Sequence, residues 1–285
     1  MMTDSHRLTR SLPALAIGMA ALALPATAST TLERILESGV ATVGTEAAFP
    51  PFEFVDDDGE IVGYGKDILN VVIEEMGVEL NQLDLPWQGI LPGLLAENFD
   101  FVATTVAINE ERARRYAFTL PIANGQPHIM TREGEAVDSE DDLAGMTVGT
   151  QLASSTEPIA RALDERLQED LGEGFGELKL YTAFTDTDVA LASGEIDAVI
   201  QSLPNLAVLV QERPGLFEIA APVETSVEWT FMGWVTRPED TDLRDFISDV
   251  IRDMRDDGRL YELQEEWFGF VMEIPDDGYL PDDAH

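Results

Sequence analysis

The junction at residues 101–121 constrains the fold most, because an apolar run leads there directly into a capped helix that carries a cation. Phe101-Val102-Ala103 ends in two hydroxyls, Thr104 and Thr105. Asn109 stands where its side chain can cap the free amides of a first helical turn. Glu110 and Glu111 suit the positive end of the helix dipole, whereas Arg112 opposes it at a cost of roughly 0.3–1 kcal/mol unless an anion meets it. Arg112 therefore has two readings. It is a planar fork for a carboxylate, beside hydroxyls and strand-end amides, or a surface partner of the neighbouring glutamates, a pairing that contributes little.

The same strand-to-helix alternation runs along the chain and predicts an α/β fold. A short strand over 41–45 leads into a loop with Glu46 and Phe49, a carboxylate and an aromatic face able to hold a cationic group. Open α/β sheets bind ligands at the carboxyl ends of their strands, which is where this loop falls. Phe52 and Phe54 read as loop packing. A helix over 66–76 buries Ile68, Val71, Val72 and Met76 and stops at Gly77. Trp87 opens a helix through Leu95, as a core plug or as a wall of the site. A strand over 146–150 is followed by Ala153 to Pro158, small hydroxylated residues with proline just inside a helix start. That start either binds an anion or is simply capped. A strand over 178–181, a helix over 186–193 and a strand over 196–200 follow, with Gln201, Ser202 and Asn205 at the ligand edge. A strand over 231–235 and two helices, through Met254 and Trp267, close the pattern. From Pro275 onward the acidic tail is expected to fray.

The 285 residues suffice for two medium domains. Residues 1–28 read as a secretory signal: Arg7 and Arg10, an apolar stretch from Leu12 to Leu24, then Ala26-Thr27-Ala28. No later segment has the length and apolarity of a membrane span. Absence of cysteine excludes disulfides, thiol catalysis, cysteine-ligated metal and a lipidated-cysteine tether, so the expectation is a diffusing periplasmic protein. The chain carries 55 acids against 17 bases, and without Asp4, Arg7 and Arg10 the balance is 54 against 15. Such a surface repels nucleic acid and anionic membranes. Because the acids are scattered, adaptation to high salt is favoured over a receptor for polycations. Asp56-Asp57-Asp58-Gly59 reads as a turn, since the spaced ligands and closing glutamate of a calcium loop are missing. No metal, cofactor or catalytic residue is expected.

Several stretches, in this order, resemble the family 3 solute-binding proteins of ABC transporters. They are Val43-Gly44-Thr45 through Phe54, Val62-Gly63-Tyr64 with Asp67-Ile68, Trp87 through Pro92, Ile108 to Arg112, Asp142 through Gly145, Val148-Gly149, Gly194 through Val199, and Asp257-Gly258 through Gly269. The resemblance implies a two-lobed periplasmic-binding-protein architecture of type II, the Venus flytrap, with two hinge crossings. Lobe 1 would be residues 29–126 plus 226–285 and lobe 2 residues 127–225. It implies a small carboxylated zwitterion as ligand, an amino acid or derivative, delivered transiently by a monomer to an inner-membrane permease. By the same resemblance Arg112 takes the carboxylate, Phe49 and Trp87 sandwich the ligand, and Glu46 meets a cationic or amide group. Thr104 and Thr105 would supply hydrogen bonds from lobe 1 and Ser155 from lobe 2.

The chain departs from the family pattern at three positions. Ser202 stands where an aspartate usually neutralises the α-ammonium, Ala107 where a hydroxyl is common, and Gly65 where an acid is usual. Unless Glu46 takes over, a primary ammonium would be under-paired in a closed cleft, costing several kcal/mol. That opens a different ligand class, an ectoine-type or betaine-type compatible solute whose cation rests on aromatics. Two competing functions share the same fold: a cyclohexadienyl-dehydratase-like enzyme, with Glu46 as general acid, and a ligand-presenting sensor module. Of His6, His128 and His285, only His128 is expected inside the folded chain.

Overall fold

A computed structural model describes residues 29–224 and 230–285. The expected signal segment and the expected return boundary at 225/226 lie outside them.

The strand Val40–Thr45 lies in parallel between Glu79–Asp84 and Phe101–Ala107, and Phe231–Thr236 adds antiparallel to the latter. Two short strands, Ala117–Phe118 and Ala123–Asn124, complete this sheet against Phe231–Thr236. The second sheet repeats the plan. Thr147–Gln151 lies in parallel between Glu177–Tyr181 and Ala198–Ser202, and Pro127–Arg132 then Phe217–Pro222 follow antiparallel. The chain thus builds two α/β lobes, crossing between them after Asn124 and again between Pro222 and Phe231.

The inner parallel strands are mostly buried, as sheets covered on both faces require, while the edge strands Glu79–Asp84 and Glu177–Tyr181 stay partly exposed and polar. Val43, Phe101, Val102 and Trp234 of the first sheet pack on Ile68, Leu69 and Val72 of the helix Tyr64–Met76 and on Leu243, Ile247 and Ile251 of the helix Thr241–Asp256. Burying each such side chain is worth about 1.5–3 kcal/mol. The second sheet has a core on each face, one around Val148, Leu163 and Ile200 and one around Met130, Leu191 and Val199. None of the described helices is long and apolar enough to cross a membrane.

The structure corrects several details. The helix read from 66 begins at Tyr64, and the one read from 186 begins at Phe184. The strand read at 196–200 is Ala198–Ser202, which brings Gln201 and Ser202 into the sheet. The helix Leu203–Glu212 and the strand Phe217–Pro222 were not anticipated.

The largest correction is the acidic tail, which is docked. Tyr279 is buried, Leu280 and Ala284 pack against the lobe 1 core, and Arg255 pairs with Asp276. The backbone N–H of His285 donates to the carbonyl of Ala113 at 3.2 Å, and its ring Nε2 donates to the carbonyl of Arg114 at 2.9 Å. His285 therefore caps the C-terminal end of the short helix Glu110–Ala113, and His128 is not the only histidine in the fold. Apolar anchors set among the acids hold the segment down where net charge alone predicts fraying.

Candidate functional site

The parallel strands of both sheets end at the cleft between the lobes. Thr45 leads to Glu46, Ala107 to the Asn109-capped turn, Gln151 to Ser154 and Ser155, and Ser202 to Asn205. The Asn109 side chain accepts from the backbone N–H of Arg112 at 2.9 Å. The helix it caps is a single turn, Glu110–Ala113, so Arg112 stands where that turn meets the cleft.

Glu46, Phe49, Trp87, Thr105, Arg112 and Ser155 line one cavity of about 30 Å³. It also holds Ala107, Ser154 from the expected anion-binding helix start, and Gln151, Phe184 and Met232, these last three not anticipated as lining residues. Gln151 was discoverable from the rule that ligands meet strand ends, since it ends the strand Thr147–Gln151. Phe184 is not locally legible: its ring lies 5.6 Å from that of Phe49 across the lobe boundary. On the outer side of the Trp87–Arg112 pair, a cavity of about 320 Å³ leads outward past Arg115 and Tyr116. A larger cavity, about 340 Å³, shares Ala107 and Ser155 but is walled mainly by Ile108, Pro127, Pro158 and Ile159. Its cation, Arg166, is already held by Glu140 and Asp141, whereas the inner cavity joins Arg112 to the buried carboxylate of Glu46.

Arg112 is half-buried, with its guanidinium 5.2 Å from the Trp87 ring centroid. It donates to the carbonyls of Ala107 at 3.2 Å and Ala153 at 3.3 Å. Burial pulls its pKa down to about 10, which leaves it charged at neutral pH. None of the ion pairs among the described residues involves Arg112, although Glu110 and Glu111 are near in sequence; they pair with Arg114 and Arg115 instead. Its charge thus has no carboxylate partner, although each end of the fork already donates one hydrogen bond to a carbonyl.

Glu46 is 5% exposed and receives the Nε2 amide of Gln151 at 2.5 Å. Burial raises its pKa to about 7, and nearby Asp84 pushes in the same direction while the Gln151 hydrogen bond opposes it. A cationic group at this carboxylate would reverse the effect.

Two anticipated residues do not line the cavity. Thr104 turns its hydroxyl to Glu53 at 3.2 Å, and Ser202 donates to the side-chain oxygen of Asn205. Asn205 in turn donates across the lobe boundary to the carbonyl of Pro50 at 2.6 Å. Further bonds close the lobes on one another: Trp87 Nε1 to the carbonyl of Ala153 at 2.9 Å, and Gln88 Nε2 to those of Leu152 and Thr182 at 3.2 and 3.1 Å. At about 30 Å³ the inner cavity is smaller than an amino acid, so ligand entry requires these bonds to part.

The model of the bacterial extracellular solute-binding proteins, family 3, matches residues 41–270. The chain belongs to this family. It is 27% identical over 244 residues to the L-cystine-binding protein TcyJ of Escherichia coli K12, covering 84% of this chain and 86% of that one. It is 26% identical over 233 residues to an L-arginine-binding protein of Pseudomonas aeruginosa, covering 80% and 87%. Among solved structures it resembles a mutant of ArgBP from T. maritima, with 31% identity, a TM-score of 0.72, and coverage of 84% of this chain and 99% of that one. It also resembles the ancestral amino acid-binding protein AncCDT-1, a precursor of cyclohexadienyl dehydratase, with 25% identity, a TM-score of 0.74, and coverage of 84% and 100%. The family model ends at residue 270, so the docked tail lies beyond the matched region.

Proposed function

We propose that this protein is the periplasmic solute-binding protein of an ABC importer and that its ligand is an amino acid with a cationic side chain, of the L-arginine class. The observation that carries this reading is a cation, Arg112, and a buried carboxylate, Glu46, in a single cavity walled by Phe49, Trp87 and Phe184. Arg112 takes the ligand carboxylate as a bidentate fork, and Glu46 takes a cationic N–H group. The rings exclude water, which strengthens both interactions, and stack on a planar guanidinium. Gln151 already places an amide N–H on Glu46, which marks that carboxylate as the acceptor for a nitrogen donor.

Relatives that bind arginine support the class. The lobes, residues 29–126 plus 226–285 and 127–225, close on the ligand as a monomer, and the closed form is what a membrane permease recognises. Among the described residues the site offers no catalytic pair, and binding without turnover is the reading adopted. Isothermal titration of refolded protein with L-arginine, L-glutamine and L-cystine tests it, with L-arginine expected to bind best. Release of phenylpyruvate from prephenate would overturn it in favour of a dehydratase.

A second reading rests on Ser202. Its hydroxyl is spent on Asn205, so that strand end offers no charge to an α-ammonium. A compatible solute of the ectoine or betaine type, with a delocalised or alkylated cation, would need none and would rest on Phe49 and Trp87. Binding of ectoine or glycine betaine, with no response to L-arginine, would establish it.

A further inference from the structure

Beneath the cleft lies a second carboxylate that the binding scheme above does not use. Glu53 is fully buried, and its two oxygens accept the hydroxyl protons of Thr104 at 3.2 Å and Thr105 at 3.3 Å. Its place depends on a glycine: a Cβ on Gly65 would lie 2.0 Å from Glu53 Oε1, so the missing side chain at 65 makes the room the carboxylate occupies. Of the two threonines, Thr105 lines the ligand cavity and Thr104 does not.

Among the described residues no cation lies within ion-pair distance of Glu53. The charged groups on the elements around it are engaged elsewhere or carry the same sign. Lys66, next to Gly65, donates to Gln82 at 2.9 Å, and Asp67 accepts from Trp267 at 2.8 Å. Glu46 shares its negative charge, with Asp84 behind it. Arg112 is bonded to Ala107 and Ala153. A carboxylate so placed has two states of nearly equal cost: neutral and compatible with burial, or ionised and held only by hydrogen bonds. Burial raises its pKa to about 8, with Glu46 adding to the rise and the threonine bonds opposing it.

The two states present different faces to the cleft. Ionised, Glu53 is an acceptor only, so both threonine hydroxyls donate to it and Thr105 turns a lone pair outward. Neutral, Glu53 donates its own proton to a threonine oxygen, and that hydroxyl is freed to donate. We propose that Glu53 is a positioning residue for ligand selection: its ionisation makes Thr105 an acceptor for ligand N–H groups, so a cationic ligand binds with release of a proton to solvent. The step balances as Glu53 carboxylic acid plus ligand cation giving carboxylate, bound cation and one solvent proton, exchanged while the lobes are parted. It rests on the cationic-ligand reading and adds a residue that does not itself touch the ligand.

The test is titration calorimetry with L-arginine at pH 7.5 in phosphate and in Tris, whose ionisation heats differ, followed by affinity measurements from pH 6 to pH 8.5. Wild type is expected to release protons and to bind roughly 50- to 100-fold more tightly at the upper end. Glu53→Gln is expected to release fewer protons and to flatten the profile, and Thr105→Val to lose at least tenfold in affinity, with Thr105→Ser restoring it. If Glu53→Gln does not fold, NMR titration of the Glu53 carboxyl in the free and L-arginine-bound wild type decides, and a carboxyl whose ionisation does not change on binding overturns the proposal. An unchanged proton count and pH profile in Glu53→Gln, or unchanged affinity in Thr105→Val, would overturn the proposal. Should wild type bind no L-arginine, the ligand reading fails instead. Carbon-detected NMR titration of the Glu53 carboxyl in the free protein then decides the inference, and a group already ionised at pH 6 sinks it.

Discussion

Gln151 and Glu46 come from opposite lobes and meet at 2.5 Å, amide nitrogen to carboxylate oxygen. This contact joins closure to recognition, because the group that would take the ligand cation is also the group that the second lobe grips. The Gln151 amide donates a second bond to the carbonyl of Thr182 at 3.1 Å, so it is held in its own lobe while reaching across. A ligand that brings its own N–H donor to Glu46 enters a site already shaped for one.

Variants at the two charged walls should separate the two ends of the ligand. Glu46→Gln keeps the shape and removes the charge, and is expected to weaken L-arginine binding by about 2–5 kcal/mol, 30-fold or more. Arg112→Lys keeps a charge but loses the bidentate fork and the stacking on Trp87, and should cost at least about tenfold. Calorimetry of both variants checks this. Equal affinity in Glu46→Gln would mean that the cation sits elsewhere.

The pH dependence of the ligand-free protein follows from the buried carboxyls. Glu46 and Glu53 have folded pKa values of about 7 and about 8 against an unfolded value near 4.5, and Asp188 is raised by burial to about 7. Between pH 4.5 and pH 8 the folded state therefore holds more protons than the unfolded one, so stability falls as pH rises through that window. Over the whole window Glu46 contributes roughly 3 kcal/mol to the fall and Glu53 roughly 5 kcal/mol. Urea unfolding at pH 5.5 and pH 8 should show the loss, and Glu46→Gln with Glu53→Gln should remove most of it. A double variant with the wild-type slope would place the titrating groups elsewhere.

How much of this was legible depends on how local each feature is. Asn109 capping the turn of Arg112, and Trp87 opening its helix, are set by neighbours within a few residues, and the structure has both. The path of Gln151 to Glu46 spans 105 residues and exists only once two lobes oppose their strand ends, so no local pattern carries it. Glu53 sits in a run of aromatics and prolines that reads as a loop at a strand end, and its burial depends on the space left by Gly65. Ser202 is different: Asn205 lies three residues on, within reach of its hydroxyl, and that bond was open to inspection in the sequence. In the tail, acid content masked Tyr279 and Leu280, and two apolar anchors outweighed the charge around them.

The docked tail should matter for both stability and affinity. Tyr279→Ala empties a buried aromatic site and is expected to cost about 3–5 kcal/mol if the segment stays in place, or less if it detaches. Detachment would also remove His285 from the carbonyls of Ala113 and Arg114, next to Arg112, the residue proposed to take the ligand carboxylate. A drop of several degrees in midpoint, with weaker ligand binding, is the expected pair of results. A stability loss with unchanged affinity would confine the tail to a packing role.

The charge balance leads to the last prediction. With 55 acids and 17 bases, self-repulsion is screened only when the Debye length falls well below the spacing of surface charges, from about 10 Å at 0.1 M salt to about 3 Å at 1 M. Exposed arginines take what compensation they can, as Arg166 does among Glu140, Asp141 and Asp170, but such surface pairs contribute little. A screening gain of about 3 kcal/mol would raise the unfolding midpoint by roughly 6–12 °C for a chain of this size. Sodium chloride should produce this rise between 0.05 M and 1 M, and potassium chloride should match it, since the effect is one of ionic strength. A midpoint that responds only to sulfate would point to general exclusion of a kosmotrope from the protein surface. One that does not move would show that the acidic surface imposes no electrostatic cost, and the adaptation to salt would have to be abandoned.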